Sequence, residues 1–513
     1  MKNIMNEITS KKVMILAVLL MVFTATITSC NEKDYGDKRD ITDNEIIVRT
    51  SQVINDNYIG NGVQWDPYPQ AYKYWGEPIS DQDWDKLYKR LDFMKPNLVR
   101  VVYGSFDKYA SDDVDGYDQD KFIEGLLKIL QYCQDNQISV LLGDWGFNQV
   151  SFNENKIFEN RLDNAVQYLD YLVTTKGFSC IKYYTTINEP NLGGSASNGN
   201  YDLWRDATLY FHNKMKEIGL DTKVKLAGPD VAVFNNSDID WISRSSNDFG
   251  DKLGIYEVHT YPPKGVMFSN EYEDLLSRMK ERVPAGYQII IGEFGYKYDT
   301  GDSNIDQVLA SQNSNKINSD PNIADDSNTL VNEYFHGVDL VGLTMKIVNA
   351  GYSGGVNWGL DDAMHSGTTT GTDLKVWGFW NILGEELQSK PESENLRPHF
   401  YSFSLLCRYM QKGSKVFKVE VPSKIGLDVI AVEKDGKYMI AISNMYSADY
   451  ELSLSIENLE QLTGVKKFVY KEEGRKYDAD GYPAPEEENL TINSGDKLTI
   501  AGETFTVLTN FDF

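Results

Sequence analysis

The chain has 513 residues, 41% hydrophobic and 25% charged, a composition typical of a soluble globular protein with two or three domains or one long barrel. Its 76 acidic and 50 basic residues give a net charge of −26, which disfavours nucleic acid as a partner because the phosphate backbone would be repelled. The 32 tyrosines and 9 tryptophans favour neutral ligands, such as sugars, that bind by stacking.

The amino terminus has the features of a secretion signal. Lys11 and Lys12 precede an apolar run over 13–23, which is too short to span a bilayer comfortably but has the length of a signal-peptide core. The following Ile27-Thr28-Ser29-Cys30 resembles the lipobox of bacterial lipoproteins, in which the cysteine is lipidated. We therefore expect a signal peptide over 1–30, a flexible tether over 31–43, and a surface-exposed outer-membrane lipoprotein of the cell envelope. The alternative is an ordinary secretory signal with a chance cysteine.

The three remaining cysteines, Cys133, Cys180 and Cys407, lie in apolar segments and show no C-x-x-C spacing. This pattern predicts buried free thiols rather than a disulfide scaffold or a zinc site. The five histidines are scattered and no H-E-x-x-H motif occurs, so we expect neither a metal nor a cofactor.

From Ile54 to Gln411 short apolar runs alternate with segments of helical period, which is typical of βα repeats around a parallel sheet. Ser80 is a candidate N-cap for the first helix, and Lys95-Pro96 ends it. Further helices are predicted near 118–136, 157–175 and 201–218. The strand candidates are 60–65, 98–103, 139–145, 183–188, 224–228, 255–260, 288–292 and 355–358. Eight strands and no G-x-G-x-x-G loop predict an α/β (β/α)8 TIM barrel over 44–411 rather than a doubly wound sheet.

Beyond Lys412 the pattern changes to alternation of period two, with a strong hairpin signal at Asp435-Gly436. Eight short runs over 416–421, 428–433, 438–444, 451–456, 466–470, 490–492, 497–500 and 504–508 predict a C-terminal antiparallel β-sandwich domain over 412–513. The segment 45–53 also alternates, and it could either add a strand to this sandwich or close the bottom of the barrel.

In a TIM barrel the functional side chains lie at the carboxyl ends of the strands. The fourth predicted strand ends in Asn188-Glu189-Pro190, and the seventh ends in Gly292-Glu293. Two carboxylates at one mouth are what a retaining glycosidase needs, one as acid and base and the other as nucleophile. Each motif alone is weak evidence, but their joint placement on the fourth and seventh strands supports the prediction.

With these motifs the chain resembles the clan A glycoside hydrolases, in particular families 5, 30 and 39, which carry Asn-Glu on strand four and Glu on strand seven. The resemblance implies that Glu189 is the acid/base, that Glu293 is the nucleophile and that Asn188 binds the 2-hydroxyl of the substrate. It also implies that Arg100, at the end of strand two, lies beneath the nucleophile. A cation there would hold the pKa of Glu293 low.

The resemblance extends to further substrate-binding residues. His259 and Tyr261 match the His-x-Tyr of strand six, in which the tyrosine touches the nucleophile and the histidine binds sugar or positions the acid. Trp358, at the end of strand eight, matches the tryptophan that forms the floor of the subsite where the bond is cleaved.

Other candidates depend on position alone. Asp144 and Trp145 end strand three, where many clan members carry a histidine, so their role in sugar binding is open. Trp65 ends strand one and is a candidate subsite wall. Trp377 and Trp380 lie in the long loop after strand eight and are candidate sugar platforms. The polar segment 299–328, which follows the nucleophile, is predicted to be a loop at the mouth or a solvated insertion.

A rival motif, Gly351-Tyr352-Ser353-Gly354-Gly355, fits the G-x-S-x-G elbow of serine hydrolases. The elbow requires a strand that leads into a helix, whereas here a predicted helix leads into a strand. A second alternative is a non-catalytic lipoprotein that captures glycans on a barrel scaffold, although both glutamates are retained. The sequence therefore predicts a monomeric retaining glycoside hydrolase that is endo-acting on a neutral β-glucan or related glycan.

Overall fold

The computed structural model describes residues 44–68, 79–104, 118–120, 122–298, 301, 303–367 and 373–513. The predicted signal peptide, the tether and Cys30 lie outside these residues. Among the described helices, none combines the length and the apolar character that a bilayer crossing requires.

Strands and helices alternate along the chain as far as Tyr409, and the elements that follow are all strands. The strands are β1 Glu45–Asn55, β2 Gly60–Gln64, β3 Leu98–Tyr103, β4 Ser139–Asp144, β5 Val150–Ser151, β6 Lys156–Ile157, β7 Ile181–Thr185, β8 Lys225–Ala232, β9 Leu253–Thr260, β10 Ile289–Phe294, β11 Gly354–Asn357, β12 Lys415–Glu420, β13 Leu427–Lys434, β14 Lys437–Asn444, β15 Tyr450–Ile456, β16 Gln461–Tyr470, β17 Glu487–Asn493, β18 Asp496–Ile500 and β19 Thr504–Thr509. The α-helices are α1 Asp81–Met94, α2 Glu124–Asp135, α3 Glu159–Asp170, α4 Tyr201–Glu217, α5 Asn236–Phe249, α6 Glu271–Lys280, α7 Asn304–Ser319, α8 Tyr334–Asn349, α9 Gly384–Gln388 and α10 Pro398–Tyr409.

Eight parallel strands close into a barrel in the order β10-β11-β2-β3-β4-β7-β8-β9. The predicted TIM barrel is thereby confirmed, with all eight strands at their predicted places. At the first helix the Ser80 hydroxyl accepts a hydrogen bond from the Asp83 N–H at 3.1 Å. Lys95 adopts a left-handed φ of 51° and ends the helix before Pro96. The segment 299–328 is not only a loop, because it contains α7.

Side-chain alternation divides the barrel interior into layers. Every second residue of a strand points inward, so Leu98 and Arg100 of β3 share the inner face, as do Ile255, Glu257 and His259 of β9. The amino-terminal layer is an apolar plug formed by Ile59, Leu98, Leu141, Ala227, Ile255, Ile290 and Val356. The polar inward residues Arg100, Glu257 and His259 therefore lie between this apolar layer and the carboxyl ends of the strands.

The remaining nine strands form one hydrogen-bonded sheet in the order β17-β16-β19-β14-β13-β12-β1-β15-β18. All its pairs are antiparallel except β1 with β15. Strands from both ends of this order share one apolar cluster, which includes Ile492 and Ile500, so the sheet folds over itself. The first strand, β1, belongs to this β domain rather than to the barrel, although the predicted boundary at 44 assigns it to the barrel. Asp435 and Gly436 form the predicted hairpin turn with φ of 54° and 76°.

A buried ionic cluster connects the barrel to the β domain. The Lys346 ammonium on α8 lies 2.5 Å from the carboxylate of Glu273 on α6 and 3.1 Å from that of Asp428 on β13. The Lys346 side chain is only 7% exposed.

Two smaller predictions are also settled by the fold. Cys133, Cys180 and Cys407 are free and buried, as predicted. The esterase alternative fails because α8 leads into β11 and Ser353 lies buried before that strand, at its amino-terminal end. A nucleophile elbow would have to follow a strand at its carboxyl end.

Candidate active site

Glu189 lies four residues beyond the end of β7, on a backbone that the neighbouring strand holds in place. Its φ is 44°, a conformation that is uncommon for a residue with a Cβ atom. The Asn191 side chain donates to the Ala232 carbonyl at 2.8 Å and accepts from the Ala232 N–H at 3.0 Å. The Glu189 N–H donates to Asp230 Oδ2 at 3.3 Å. These bonds to β8 fix the turn that presents the Glu189 carboxylate at the mouth.

Glu293 lies within β10, directly after Gly292. A Cβ atom on Gly292 would lie 1.5 Å from Oε1 of Glu257, so only glycine leaves room for that carboxyl group inside the barrel. Both carboxylate oxygens of Glu293 have a donor: Arg100 Nη1 donates to Oε2 at 2.9 Å, and the Tyr261 hydroxyl donates to Oε1. The carboxylate is therefore held in one orientation.

The two glutamates face the same small volume. One carboxylate oxygen of Glu189, one of Glu293 and one ring nitrogen of His259 all lie within 4.8 Å of one another. The Glu189 side chain is 21% exposed and that of Glu293 is 9% exposed, so both remain accessible from the cleft. The structure thus brings the predicted pair together at the carboxyl end of the barrel.

Arg100 connects the nucleophile candidate to the rest of the mouth. Its guanidinium is fully buried and donates from Nη1 to Gln64 Oε1 at 2.6 Å as well as to Glu293. From Nη2 it donates to Asn188 Oδ1 at 2.7 Å and to Asp230 Oδ1 at 3.1 Å. The guanidinium therefore fixes residues in or just after four other strands at once.

The expectation that Glu293 has a low pKa is wrong, although Arg100 makes the expected contact and acts in the expected direction. Burial raises the pKa of Glu293, and the negative charge of Glu189 adds to that effect. His259, Arg100 and Tyr261 oppose the shift, but the pKa stays above its ordinary value. The desolvation of a carboxylate inside the barrel therefore outweighs its charge-assisted bonds.

His259 lies between the acid/base candidate and two further carboxyl groups. Its Nδ1 is 3.0 Å from Glu189 Oε1, and its Nε2 is 2.9 Å from Asp230 Oδ1 and 3.0 Å from Glu257 Oε1. Burial alone would lower the pKa of His259, but the carboxylates of Asp230 and Glu293 raise it well above its ordinary value. The imidazolium form can donate to partners on both sides.

Asp230 and Glu257 are both buried beside His259, but they differ in charge. Burial disfavours the charge of Asp230, yet Arg100 and His259 hold its pKa below its usual range. Burial and the neighbouring Asp230 raise the pKa of Glu257 to about 8. Glu257 is therefore protonated at neutral pH, which relieves the repulsion between the two carboxyl groups.

Two donor sets among the described residues are compact enough to ligate a cation: Glu189 with His259 and Glu293, and His259 with Asp230 and Glu257. In both sets the carboxylates already accept hydrogen bonds from protein groups, including Arg100 and Tyr261. The clustering is thus accounted for by the network of the protein itself, and the absence of a metal remains a prediction.

Aromatic side chains line the cleft near Glu189. Trp145 is half-buried and lines a cavity of about 240 Å³ together with Phe147, Asn188 and Glu189. The half-buried Trp358 stacks on His365, with ring centroids 5.0 Å apart and an angle of 24° between the planes. Trp145 therefore borders the cavity at Glu189, and the sugar contacts of Trp145 and Trp358 remain predictions.

Trp65, predicted as a subsite wall, and Trp377 and Trp380, predicted as sugar platforms, are core residues instead. Trp65 is buried against Trp84 and donates from its indole nitrogen to the Tyr68 hydroxyl at 3.1 Å. Trp377 is 6% exposed, and Trp380 is fully buried. Trp377 packs edge-on against Tyr261 at 5.8 Å, so it supports that tyrosine from behind.

The indole nitrogens of Trp377 and Trp380 each donate to a buried acceptor, which accounts for the inward orientation of both side chains. Trp377 Nε1 donates to the Asp326 carbonyl at 2.8 Å, and Trp380 Nε1 donates to Asp361 Oδ2 at 2.9 Å.

Asp144 is likewise not open to substrate. Its buried carboxylate accepts from the Gly146 N–H at 2.8 Å and from Gln149 Nε2 at 2.9 Å, which organises its own loop.

The sequence reasoning missed Asp230 and Glu257. Asp230 lies two residues beyond the predicted end of its strand, because β8 continues to Ala232. Glu257 carried a usable signal: it is a charged residue in an apolar strand, two residues before His259 and hence on the same face. Such a residue on an inward face requires a buried partner, and here the partners are His259 and Asp230.

Comparison with known proteins agrees with this site. The family model for cellulase (glycosyl hydrolase family 5) matches residues 56–319, which is more than half of the chain. No curated protein matches the sequence.

Solved structures are similar over almost the whole chain. A GH30 endoxylanase from Clostridium papyrosolvens C71 superposes with a TM-score of 0.57 at 13% identity, covering 91% of this chain and 99% of that one. An α-L-arabinofuranosidase from Thermotoga maritima gives 0.60 at 14% identity, with coverage of 91% and 99%. A GH39 β-xylosidase from Caulobacter crescentus gives 0.57 at 11% identity, with coverage of 90% and 99%.

These identities are low, so the superpositions establish the fold and not the substrate. The barrel, its two glutamates and the matching family model lead to one conclusion. The chain belongs to the cellulase (glycosyl hydrolase family 5) family and is a glycoside hydrolase with the clan A fold.

Proposed function

We propose that the protein is a retaining β-glycosidase that works by double displacement. The observation that carries this proposal is the short distance between the glutamates, whose nearest carboxylate oxygens lie within 4.8 Å. Retaining enzymes have carboxyl groups about 5–5.5 Å apart, whereas inverting enzymes need about 6.5–9.5 Å to admit a water molecule.

In the first step Glu293 attacks the anomeric carbon while Glu189 donates its proton to the glycosidic oxygen. The bond from the anomeric carbon to the leaving group breaks, and a covalent glycosyl ester with Glu293 forms. In the second step Glu189, now a carboxylate, removes a proton from water, and that water displaces Glu293. The reaction consumes one water molecule and requires no cofactor.

The neighbouring residues support these roles within the pair. Glu293 is held by Arg100 and Tyr261, which leaves its carboxylate oriented before the attack. Glu189 is more exposed and contacts His259 through one oxygen, as expected for a group that must exchange protons with leaving group and water. Asn188, fixed by Arg100, is placed to bond the 2-hydroxyl, where hydrogen bonds strengthen in the transition state.

The substrate that we propose is a neutral β-glucan or related glycan, cleaved internally. The net charge of −26 supports a neutral rather than an anionic polymer. Exposed aromatic residues occur on both sides of Glu189: Phe147 after β4 and Phe234 after β8. Phe234 lines a groove of about 890 Å³ together with Tyr261. Stacking surfaces in two separate cavities, one on each side of the acid, favour a substrate of several sugar units.

We also propose that the enzyme is a surface lipoprotein anchored through Cys30. The support is the lipobox-like Ile27-Thr28-Ser29-Cys30 after an apolar run of signal-peptide length. A Cys30→Ser variant expressed in cells should lose incorporation of labelled palmitate and should be released from the membrane fraction. Unchanged membrane association in that variant would contradict the anchor.

The activity is tested by release of reducing ends from neutral β-glucans, xylans, mannans and galactans by residues 31–513. Glu293→Gln is the matched control, because it keeps the side-chain volume but removes the nucleophile. We expect oligosaccharides from the wild type alone. No release, combined with retention of both proteins on one glycan in an affinity gel, would instead support a glycan-capturing lipoprotein.

A further inference from the structure

His365 is a cleft residue that the double-displacement mechanism does not use. It follows β11, and its side chain is 16% exposed. Its ring stacks on Trp358 at 5.0 Å and lies edge-on to Trp145 at 6.2 Å, with an angle of 84°. Trp145 lines the cavity at Glu189, and the partly exposed imidazole borders that cavity through its contact with Trp145.

Asp66 fixes the orientation of this imidazole. His365 Nε2 lies 2.7 Å from Asp66 Oδ2, and Asp66 itself is buried, with its Oδ1 accepting from the Val102 N–H at 2.6 Å. An ionised carboxylate can only accept hydrogen bonds, so the proton of the pair lies on Nε2. In the neutral ring Nδ1 is then an acceptor.

The same carboxylate ties His365 to the nucleophile. Gln64 Nε2 donates to Asp66 Oδ2 at 2.8 Å, and Gln64 Oε1 accepts from Arg100 Nη1 at 2.6 Å. That nitrogen also donates to Glu293 Oε2 at 2.9 Å. His365 therefore occupies a fixed position relative to Glu293, which is what discrimination between sugars requires.

We propose that His365 is a specificity-determining residue whose Nδ1 accepts a hydrogen bond from one hydroxyl group of a sugar bound beside Trp145. This inference rests on the proposed function, because it takes the substrate to be a neutral glycan. A sugar without that hydroxyl leaves the nitrogen without its partner in the complex and binds more weakly.

The test measures binding, so that it does not depend on turnover. Calorimetry in a Glu189→Gln background compares 4-nitrophenyl β-glycosides of glucose, xylose, mannose and galactose, and then each monodeoxy analogue of the best ligand. His365→Ala removes the ring, whereas His365→Gln retains a donor for Asp66. His212→Ala on α4 is the matched control, because His212 is also partly buried but lines a different cavity.

We expect His365→Ala to weaken binding of the parent glycoside about ten- to hundredfold, with no recovery in His365→Gln and no change in His212→Ala. One monodeoxy analogue should bind equally well whether His365 is present or not. The proposal is overturned by unchanged binding, by an equal loss on every analogue, by full recovery in His365→Gln, or by no binding of any glycoside. Inactivity of the enzyme with Glu189 intact, alongside the expected binding pattern, would instead refute only the proposed hydrolysis.

Discussion

Arg100 and Lys346 are both buried cations surrounded by carboxylates, yet they serve different ends. Arg100 contacts Asp230 and Glu293 directly, and Glu293 together with its neighbour Glu189 faces the cleft. Lys346 contacts Glu273 and Asp428 and joins α6 and α8 of the barrel to β13 of the β domain. A buried ion cluster is therefore not in itself a sign of catalysis.

What separates the two clusters is the surroundings of their carboxylates. At Arg100 the two glutamates Glu189 and Glu293 border an aromatic-lined cleft, and beneath them the pKa of Asp230 is lowered while that of Glu257 is raised. At Lys346 one ammonium group faces two carboxylates across a domain contact, and burial raises the pKa of Asp428 while Lys346 opposes it. We infer that the first cluster is arranged for proton transfer and the second for holding the domains together.

The largest effect is expected for the nucleophile. Glu293→Ala should reduce turnover by about a thousandfold or more, because no covalent ester can form. Added azide should restore cleavage of activated aryl β-glycosides and give the α-glycosyl azide, since azide enters from the face that Glu293 leaves vacant. Glu333→Ala, at an exposed carboxylate far along the chain, should be fully active. A β-azide from Glu293→Ala would contradict the role of nucleophile.

The acid/base residue should show a smaller loss that depends on the substrate. Glu189→Ala should slow the cleavage of natural glycans by about 10²–10⁴-fold, because their leaving group needs a proton. Aryl glycosides with good leaving groups should still form the glycosyl enzyme and release a burst of phenol before slow hydrolysis. When azide is added, it should displace Glu293 from the glycosyl enzyme and yield the β-glycosyl azide. Equal losses in both glutamate variants, with no azide effect, would overturn the assignment.

At the Lys346 cluster we expect a substitution to lower the stability of the fold without lowering catalytic activity. Lys346→Ala leaves Asp428 buried without its partner and should lower the free energy of unfolding by about 3–5 kcal/mol. Lys316→Ala removes an exposed pair with Glu333 and should cost about 0–1 kcal/mol. Denaturant unfolding measures both, and kcat well below the unfolding temperature should match the wild type. A reduced kcat in Lys346→Ala would remove the distinction between the clusters.

The mildest effect concerns pH. The pKa of Glu257 is about 8, so its carboxyl group is neutral below that pH and gains a charge above it, beside Asp230. We expect kcat/KM of the wild type to fall a few-fold above pH 8 as this charge disturbs His259 and Arg100. Glu257→Gln imitates the protonated acid and should follow the wild type near pH 7 but lose the decline above pH 8. Identical alkaline limbs in both proteins would show that Glu257 is not the group that titrates.

Periodicity and strand-end position were enough to predict the barrel and the two glutamates at its mouth, whereas the roles of the other polar residues there came from the resemblance to clan A. Glu189, Glu293, Asn188, Arg100, His259 and Tyr261 converge because the carboxyl ends of parallel strands meet at one rim. Asp230 was missed since the strand extends beyond its apolar run, and Glu257 because only its position opposite Gly292 makes room for it.

The aromatic residues show where sequence reasoning ends. Trp65, Trp377 and Trp145 all follow barrel strands, but only Trp145 lines the cleft. Whether an indole turns inward depends on a buried acceptor, which for Trp377 is the Asp326 carbonyl, 51 residues away in the chain. Such long-range partners leave no local signal, and the role of His365 likewise becomes visible only through Asp66.

The central claim is that two glutamates act in a double displacement. Proton NMR of the first minutes of hydrolysis of a β-glycoside reads the configuration of the newly formed anomeric centre before mutarotation. Our account predicts that the β anomer appears first. Initial formation of the α anomer would show single displacement and would contradict it.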